Sequence, residues 1–445
     1  MRELSGLLLI ACLAACGGSG GESTGPQIGS TQCENDGQKQ FVLDNLYAWY
    51  LWSDLLPAGI NTADYTTPEE LVREVTRTFG PQDANGPVDR FSSVGSAQAD
   101  AEFFGEGKFD GFGFSYRIVD PATDDIRLVR VFSGSPADNG GLGRGQQFVS
   151  LDGRSIAEIR ANEGIGAVFD NATVIFEMRR PDGTVFSSSI TKDVVTIDPL
   201  PQHRIIDVGN GVMVGYMELS QFISTADPVF DTVFAEFIAA GVDDVIIDLR
   251  YNGGGLVSTA NLLGDYLGAF ANDNLVFSET QFNADRAAAN NSTEFFQRLA
   301  NSINLSRLVV IATGGTASAS ELVTNSMEAW FDVTIVGANT FGKPVGQIGL
   351  TFCDKILRPT SFKTVNAAGV GDYFDGLPAD CPAIDDLNEA VGADTDPNMI
   401  AAMTYLSTGA CPVAAGSGGQ FKVEAGLSER PDLSGPAHRE FADAY

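Results

Sequence analysis

The sequence predicts a multidomain α/β protein, and three observations carry that prediction. Val245-Ile246-Ile247-Asp248-Leu249 and Leu308-Val309-Val310-Ile311-Ala312 are near-continuous apolar runs with helix-like stretches between them, as expected of strands buried on both faces of a sheet. Residues 105–193 instead carry short β-rich runs divided by turn residues. Residues 33–104 place apolar residues at helical spacing. With 445 residues, 44% of them hydrophobic, the chain is long enough for two or three units, each with its own core.

The chain opens with an export signal. Leu7-Leu8-Leu9-Ile10-Ala11-Cys12-Leu13-Ala14-Ala15 is too short to span a bilayer and has the length of a signal-peptide core. It ends in Leu13-Ala14-Ala15-Cys16, which resembles the bacterial lipobox. That resemblance implies removal of residues 1–15 and diacylation of Cys16, with the protein held at the cell envelope, periplasmic or surface-facing. Residues 16–32, beginning Gly17-Gly18-Ser19-Gly20-Gly21 after the cysteine, read as a flexible tether.

The net charge of −31 argues against nucleic acid and against anionic membrane surfaces as partners, since both require basic patches. Without the signal, Cys33, Cys353, Cys381 and Cys411 remain beside Cys16. An oxidising compartment would let these four form two disulfides in any of three pairings. No CxxC pair occurs and the only histidines are His203 and His438, so no metal site is expected.

In residues 33–104, Val42, Leu46, Trp49, Tyr50 and Trp52 give one apolar helix face, broken at Asp54-Leu55-Leu56-Pro57. Thr67-Pro68-Glu69-Glu70 has the N-cap, the N1 proline and the acidic first turn of a second helix. Within 105–193, strands are expected at 112–118, 126–131, 147–151 and 173–178, with turns at Asp152-Gly153 and Pro181-Asp182-Gly183. From 194 to 410 strands and helices alternate: a strand at 211–219, a helix at 228–240, the two buried strands above, and a strand at 333–336. The tail 411–445 shows no period.

Two segments are able to carry chemistry. Gly314-Gly315-Thr316-Ala317-Ser318-Ala319-Ser320-Glu321 joins a buried strand to a helix bearing Val323, Met327 and Trp330 on one side. A serine there faces free N–H groups and the helix dipole, which favour developing negative charge. The same spacing from Ser318 to Glu321 also describes a capping box. In Thr340-Phe341-Gly342-Lys343-Pro344, Lys343 lies among small and apolar residues, where burial would lower its pKa and let it accept a serine proton. Neither histidine has flanking residues suited to a Ser-His-Asp triad.

These segments together resemble the carboxyl-terminal processing (tail-specific) peptidases of the serine–lysine type. The family's Ser-Ala-Ser-Glu turn, its Gly-Lys segment 25 residues on and its glutamine four further on match Ser318-Ala319-Ser320-Glu321, Lys343 and Gln347. The resemblance implies Ser318 as nucleophile, Lys343 as general base and Gln347 as the residue orienting the lysine. Pro344 departs from the glycine that many members have. Asp248-Leu249-Arg250-Tyr251-Asn252-Gly253-Gly254-Gly255 is similar to the family's strand-then-glycine turn, which implies an oxyanion hole from Gly253 or Gly254 with Ala319. Val214–Leu219 and Asp396-Pro397 with Leu406 extend the likeness over roughly residues 40–410. Gly111-Phe112-Gly113-Phe114, with Gly134-Ser135-Pro136-Ala137 and Gly141-Leu142 downstream, resembles a PDZ module and its carboxylate-binding loop.

The resemblance thus implies a helical N-terminal region, a PDZ-like β-rich domain at 105–193, and a ββα-spiral (ClpP/crotonase-like) catalytic core at 194–410. The implied activity is a serine endopeptidase without cofactor, acting on unfolded or C-terminal segments of exported proteins. The alternatives are an inactive surface lipoprotein that binds protein C-termini, or a small-molecule acyl hydrolase on the same core.

Overall fold

The computed structural model describes residues 30–208 and 212–412. The signal segment, Cys16, most of the tether and nearly all of the tail, with His438, lie outside the described residues.

Helix α1 (Asn35–Trp49) packs on α2 (Pro68–Phe79). At the start of α2 Thr67 Oγ1 accepts the Glu70 N–H at 3.1 Å, and the Glu70 carboxylate reaches back to the Thr66 N–H at 2.6 Å. The first helix is shorter than the apolar spacing suggests. It stops at Trp49, and Ser53–Leu55 is a separate 3-10 turn. Burial of the Tyr50 ring and a tertiary bond from the Leu51 N–H to the Thr360 carbonyl (2.8 Å) draw the chain out of the helix there. The helical region does not stand alone: Val42, Leu46, Leu71 and Val75 share one core with Phe352 and Leu357.

Strand β1 (Ser93–Ser96) leads to β2 (Lys108–Gly111), and then to the β-rich module: β3 (Phe114–Asp120), β4 (Asp125–Val131), β5 (Gln147–Leu151), β6 (Thr173–Arg179) and β7 (Val185–Thr191). Their sheet order is β7-β6-β5-β4-β3, which leaves β3 at an edge. The strand expected at 112–118 is broken at Phe112-Gly113. There Gly113 has φ +86 and a Cβ would meet that of Ser135 at 2.2 Å, so only glycine makes this turn. The chain leaves the module through β8 (Asp193–Thr196), antiparallel to β2, so entry and exit form a two-stranded stem that runs past 193. The rings of Phe112, Phe114, Phe148, Phe169 and Phe176 fill the module's own core.

The main sheet of the core comprises β9 (Gln202–Asp207), β10 (Met213–Glu218), β11 (Asp244–Asp248), β14 (Arg307–Ala312), β15 (Asp332–Gly337) and β20 (Cys381–Pro382), side by side in that order. Only β9 runs antiparallel. Crossovers run through α3 (Asp227–Ala240), α4 (Val257–Asn272) and α5 (Ala319–Glu328). Val245, Ile247, Leu308 and Val310 face Phe230, Phe234, Leu263 and Leu322 on one side. Ile246, Val309 and Ile311 face Met399, Ala402 and Leu406 of α6 (Pro397–Thr408) on the other. Two-sided burial is why these strands read as unbroken apolar runs. Helix α5 ends at Glu328, short of Trp330, whose indole N–H leaves the helix axis to bond the Val276 carbonyl at 2.9 Å.

Two smaller sheets have four and three strands. β13 (Ser292–Phe295), β12 (Val276–Phe282), β19 (Thr360–Asn366) and β16 (Val345–Gln347) form one. β17 (Leu350–Phe352), β18 (Lys355–Arg358) and β1 form the other, so a hairpin of the core pairs with the N-terminal region. Of the three pairings open to the four cysteines, the structure has Cys33–Cys353, which binds that region to the hairpin turn, and Cys381–Cys411. Among the described residues no helix is long and apolar enough to cross a membrane, and no cluster of His, Cys, Asp and Glu is placed to hold a metal.

Candidate active site

The loops leaving β10, β11 and β14 meet at the carboxyl end of the parallel sheet, the usual place for a site in such sheets. After β11 the chain is governed by Arg250, which is fully buried and pairs with Asp248 (2.6 Å), Asp396 (2.5 Å) and Asp385 (3.4 Å). Tyr251 is then held at φ +62, an uncommon conformation for a bulky residue. Asn252 fixes the turn that follows. Its Nδ2 donates to the Leu219 carbonyl (2.8 Å), its Oδ1 accepts the Gly254 N–H (2.9 Å), and its own carbonyl accepts the Ala317 N–H (3.0 Å) and Ser320 Oγ (2.9 Å). The glycine turn and the serine turn are thereby locked together. A Cβ on Gly254, at φ +106, would stand 2.7 Å from the Ala319 nitrogen and 2.8 Å from the Ser318 Cβ.

Ser318 is half-buried ahead of α5 with φ +55 and ψ −112. A non-glycine residue in that region is strained, and such strain clusters at functional positions. Glu321 supplies the compensating contact. Its carboxylate is fully buried and accepts from the Ser318 N–H (2.9 Å), Thr340 Oγ1 (2.5 Å), the Gly342 N–H (2.7 Å) and the Lys343 N–H (2.8 Å). Burial pushes the Glu321 carboxyl up, and these four donors work against that shift. Glu321 therefore does more than cap a helix: it fastens the serine turn to the lysine loop.

Lys343 is 1% exposed. Desolvation brings its amine down to about 7, with Arg358 and Arg90 lowering it further and Asp89 and Glu321 opposing them. The Nζ donates to Gln347 Oε1 at 3.2 Å and stands 4.9 Å over the Phe91 ring. Gln347 is fixed in turn, since its Nε2 donates to the carbonyls of Phe91 (2.6 Å) and Arg358 (3.0 Å). Pro344 keeps its carbonyl in the ladder, where it accepts the Thr364 N–H at 3.0 Å. An amine able to lose its proton near neutrality, on a loop that Glu321 ties to the turn of a strained serine at a helix N-terminus, has the parts of a base and a nucleophile.

Of the glycines considered for an oxyanion hole, Gly254 donates its N–H to Asn252 Oδ1. Sequence reading missed the segment Asp89–Ser92, which contributes Phe91 to the lysine pocket, because no spacing rule links it to residue 343. Gly111–Phe114 lies at the module's stem. There the Phe112 carbonyl accepts the Ala137 N–H (2.8 Å) and the Gly113 carbonyl the Phe132 N–H (3.0 Å). His203 of β9 pairs with Glu236 of α3 at 3.1 Å.

Residues 213–375 match peptidase family S41, and residues 37–93 match the peptidase S41 N-terminal domain. The chain belongs to peptidase family S41. It is 26% identical over 248 residues to a carboxyl-terminal-processing protease of Picosynechococcus sp., an alignment covering 54% of this chain and 56% of that one. The chain thus spans about half the length of the curated relatives it matches. Among solved structures, a putative S41 protease of Bacteroides fragilis superposes with a TM-score of 0.66 at 21% identity, covering 82% of this chain and 97% of that one. A photosystem II D1 C-terminal processing protease gives 0.53 at 19% identity, covering 83% and 100%. These two likenesses establish a shared fold.

Proposed function

We propose that this S41 member is a serine endopeptidase that cleaves unfolded or C-terminal segments of exported proteins with a Ser318–Lys343 dyad. The observation that carries the reading is the buried Lys343 amine, brought to about 7 and held by Gln347 on a loop that Glu321 ties to the Ser318 turn.

Neutral Lys343 takes the Ser318 hydroxyl proton as the oxygen attacks the scissile carbonyl carbon. The oxyanion is met by the N–H groups of Ala319 and Gly253. Protonated Lys343 then gives its proton to the leaving amine, and an acyl-serine remains. Water, deprotonated by Lys343, releases the carboxylate product and regenerates the serine. Gln347 holds the amine in one direction throughout. The module at 105–193 is read as PDZ-like, with edge strand β3 free to receive a peptide as an added strand and Gly111–Phe114 placed near its carboxylate. A lipid on Cys16 would keep the enzyme at the envelope membrane.

Cleavage of an unfolded model protein by the wild type and by Ser318→Ala tests the reading. Loss of cleavage in a folded Ser318→Ala protein is expected. Retention of activity within a few-fold would remove Ser318 from the mechanism, and capture of C-terminal peptides without cleavage by either protein would favour a binding lipoprotein.

A further inference from the structure

Asp89 has no solvent exposure. Its oxygens take the Phe91 N–H (2.9 Å), the Ser92 N–H (3.1 Å), Ser92 Oγ (2.6 Å) and Thr360 Oγ1 (2.9 Å). The Thr360 N–H closes the knot by donating to Ser92 Oγ at 2.9 Å. The turn so formed presents two groups to the site. The Phe91 carbonyl takes one Gln347 amide hydrogen, and the Arg358 carbonyl takes the other, so the Gln347 oxygen is left facing Lys343. The Phe91 ring lies under the amine.

The charges facing that amine are Asp89, Glu321, Arg358 and Arg90. Glu321 is engaged by four donors, Arg358 is tied to Asp100 (2.5 and 2.6 Å), and Arg90 stacks over Phe91 and Phe341 (5.3 and 4.8 Å).

We propose that Asp89 is a positioning residue for the Lys343 base: its carboxylate holds Phe91 against Gln347 and Lys343, and its negative charge counters Arg90 and Arg358 at the amine. The N-terminal region then completes the active site. This rests on the serine–lysine reading above.

The test is kcat/KM against pH for the full-length wild type, Asp89→Asn and Thr360→Val. The asparagine keeps the size and most acceptor contacts but removes the charge that favours the ammonium form. The rising limb of the profile, near pH 7 in the wild type, is expected to move acidward by about one pH unit in Asp89→Asn. Thr360→Val removes one donor and leaves the charge, so it is expected to lower kcat several-fold (roughly 3- to 10-fold) without moving the limb. A purely structural role would lower the amplitude in both variants and shift neither limb. An Asp89→Asn limb superimposed on the wild type overturns the proposal. If Asp89→Asn fails to fold, Thr360→Val decides, and a wild-type kcat overturns the proposal. A wild-type profile without the limb overturns the serine–lysine reading itself, which keeps the two failures apart.

Discussion

At the scale of single residues, the buried lysine costs stability, and the base role proposed for it is a reason to keep it. The amine titrates near 7 when folded and near 10.4 when exposed in an unfolded chain. Between those values the unfolded state binds more protons, so stability rises with pH through that window and is lost as pH falls toward 7. Lys343→Met should therefore abolish activity yet raise stability at pH 7, on the order of 2 kcal/mol, with the gain shrinking toward pH 10. Thermal unfolding at pH 7 and pH 10 checks this, and equal or lower stability at pH 7 would show that the amine is not desolvated. Ser318 and Lys343 stood out as candidates because each sits in a short, recognisable segment. The wider role of Glu321 was not, because the 318–321 spacing shows the helix cap but not the donors arriving from residues 340–343.

At the scale of elements, the two turns that meet at the site are fastened backbone to backbone. Gly254→Ala would drive a methyl group into the Ala319 nitrogen at a φ of +106. A loss of about 1–3 kcal/mol in stability is expected, with a larger proportional loss of kcat than of substrate binding. Chemical denaturation and steady-state kinetics measure both, and a fully active Gly254→Ala would show that the turn is slack. The strands and the Thr67-capped helix were readable because period and cap chemistry are local. Three errors shared one cause. The early end of α1, the break at Phe112-Gly113 and the exclusion of Trp330 from α5 all come from tertiary bonds or close contacts that override local apolar spacing.

At the scale of the molecule, the β-rich module is held to the core by buried charge. Asp385 accepts Arg117 (3.0 Å), Arg144 (2.6 Å), Arg250 (3.4 Å) and the Tyr251 hydroxyl, while Arg130 reaches Glu218 (3.0 Å). Asp385→Asn leaves three guanidinium groups short of a partner and should cost about 3 kcal/mol. It should also make the 193–196 stem more sensitive to limited proteolysis, and unchanged cleavage there would mean the module is held by other contacts. Between the N-terminal region and the core hairpin, Cys33–Cys353 links residues 320 apart in sequence. Cys353→Ser is expected to cost about 2–4 kcal/mol in denaturant unfolding. Neither the disulfide pairing nor the Asp385 hub could be read from sequence, since each joins residues whose separation only the completed fold decides.

The dyad is tested most directly by the pH dependence of acyl-enzyme formation in the wild type beside Lys343→Arg. A rising limb near pH 7 in the wild type, and no acylation at any pH in the arginine variant, whose guanidinium stays protonated, is the predicted result. A wild-type profile flat from about pH 6 to 10, or an active Lys343→Arg, would contradict it.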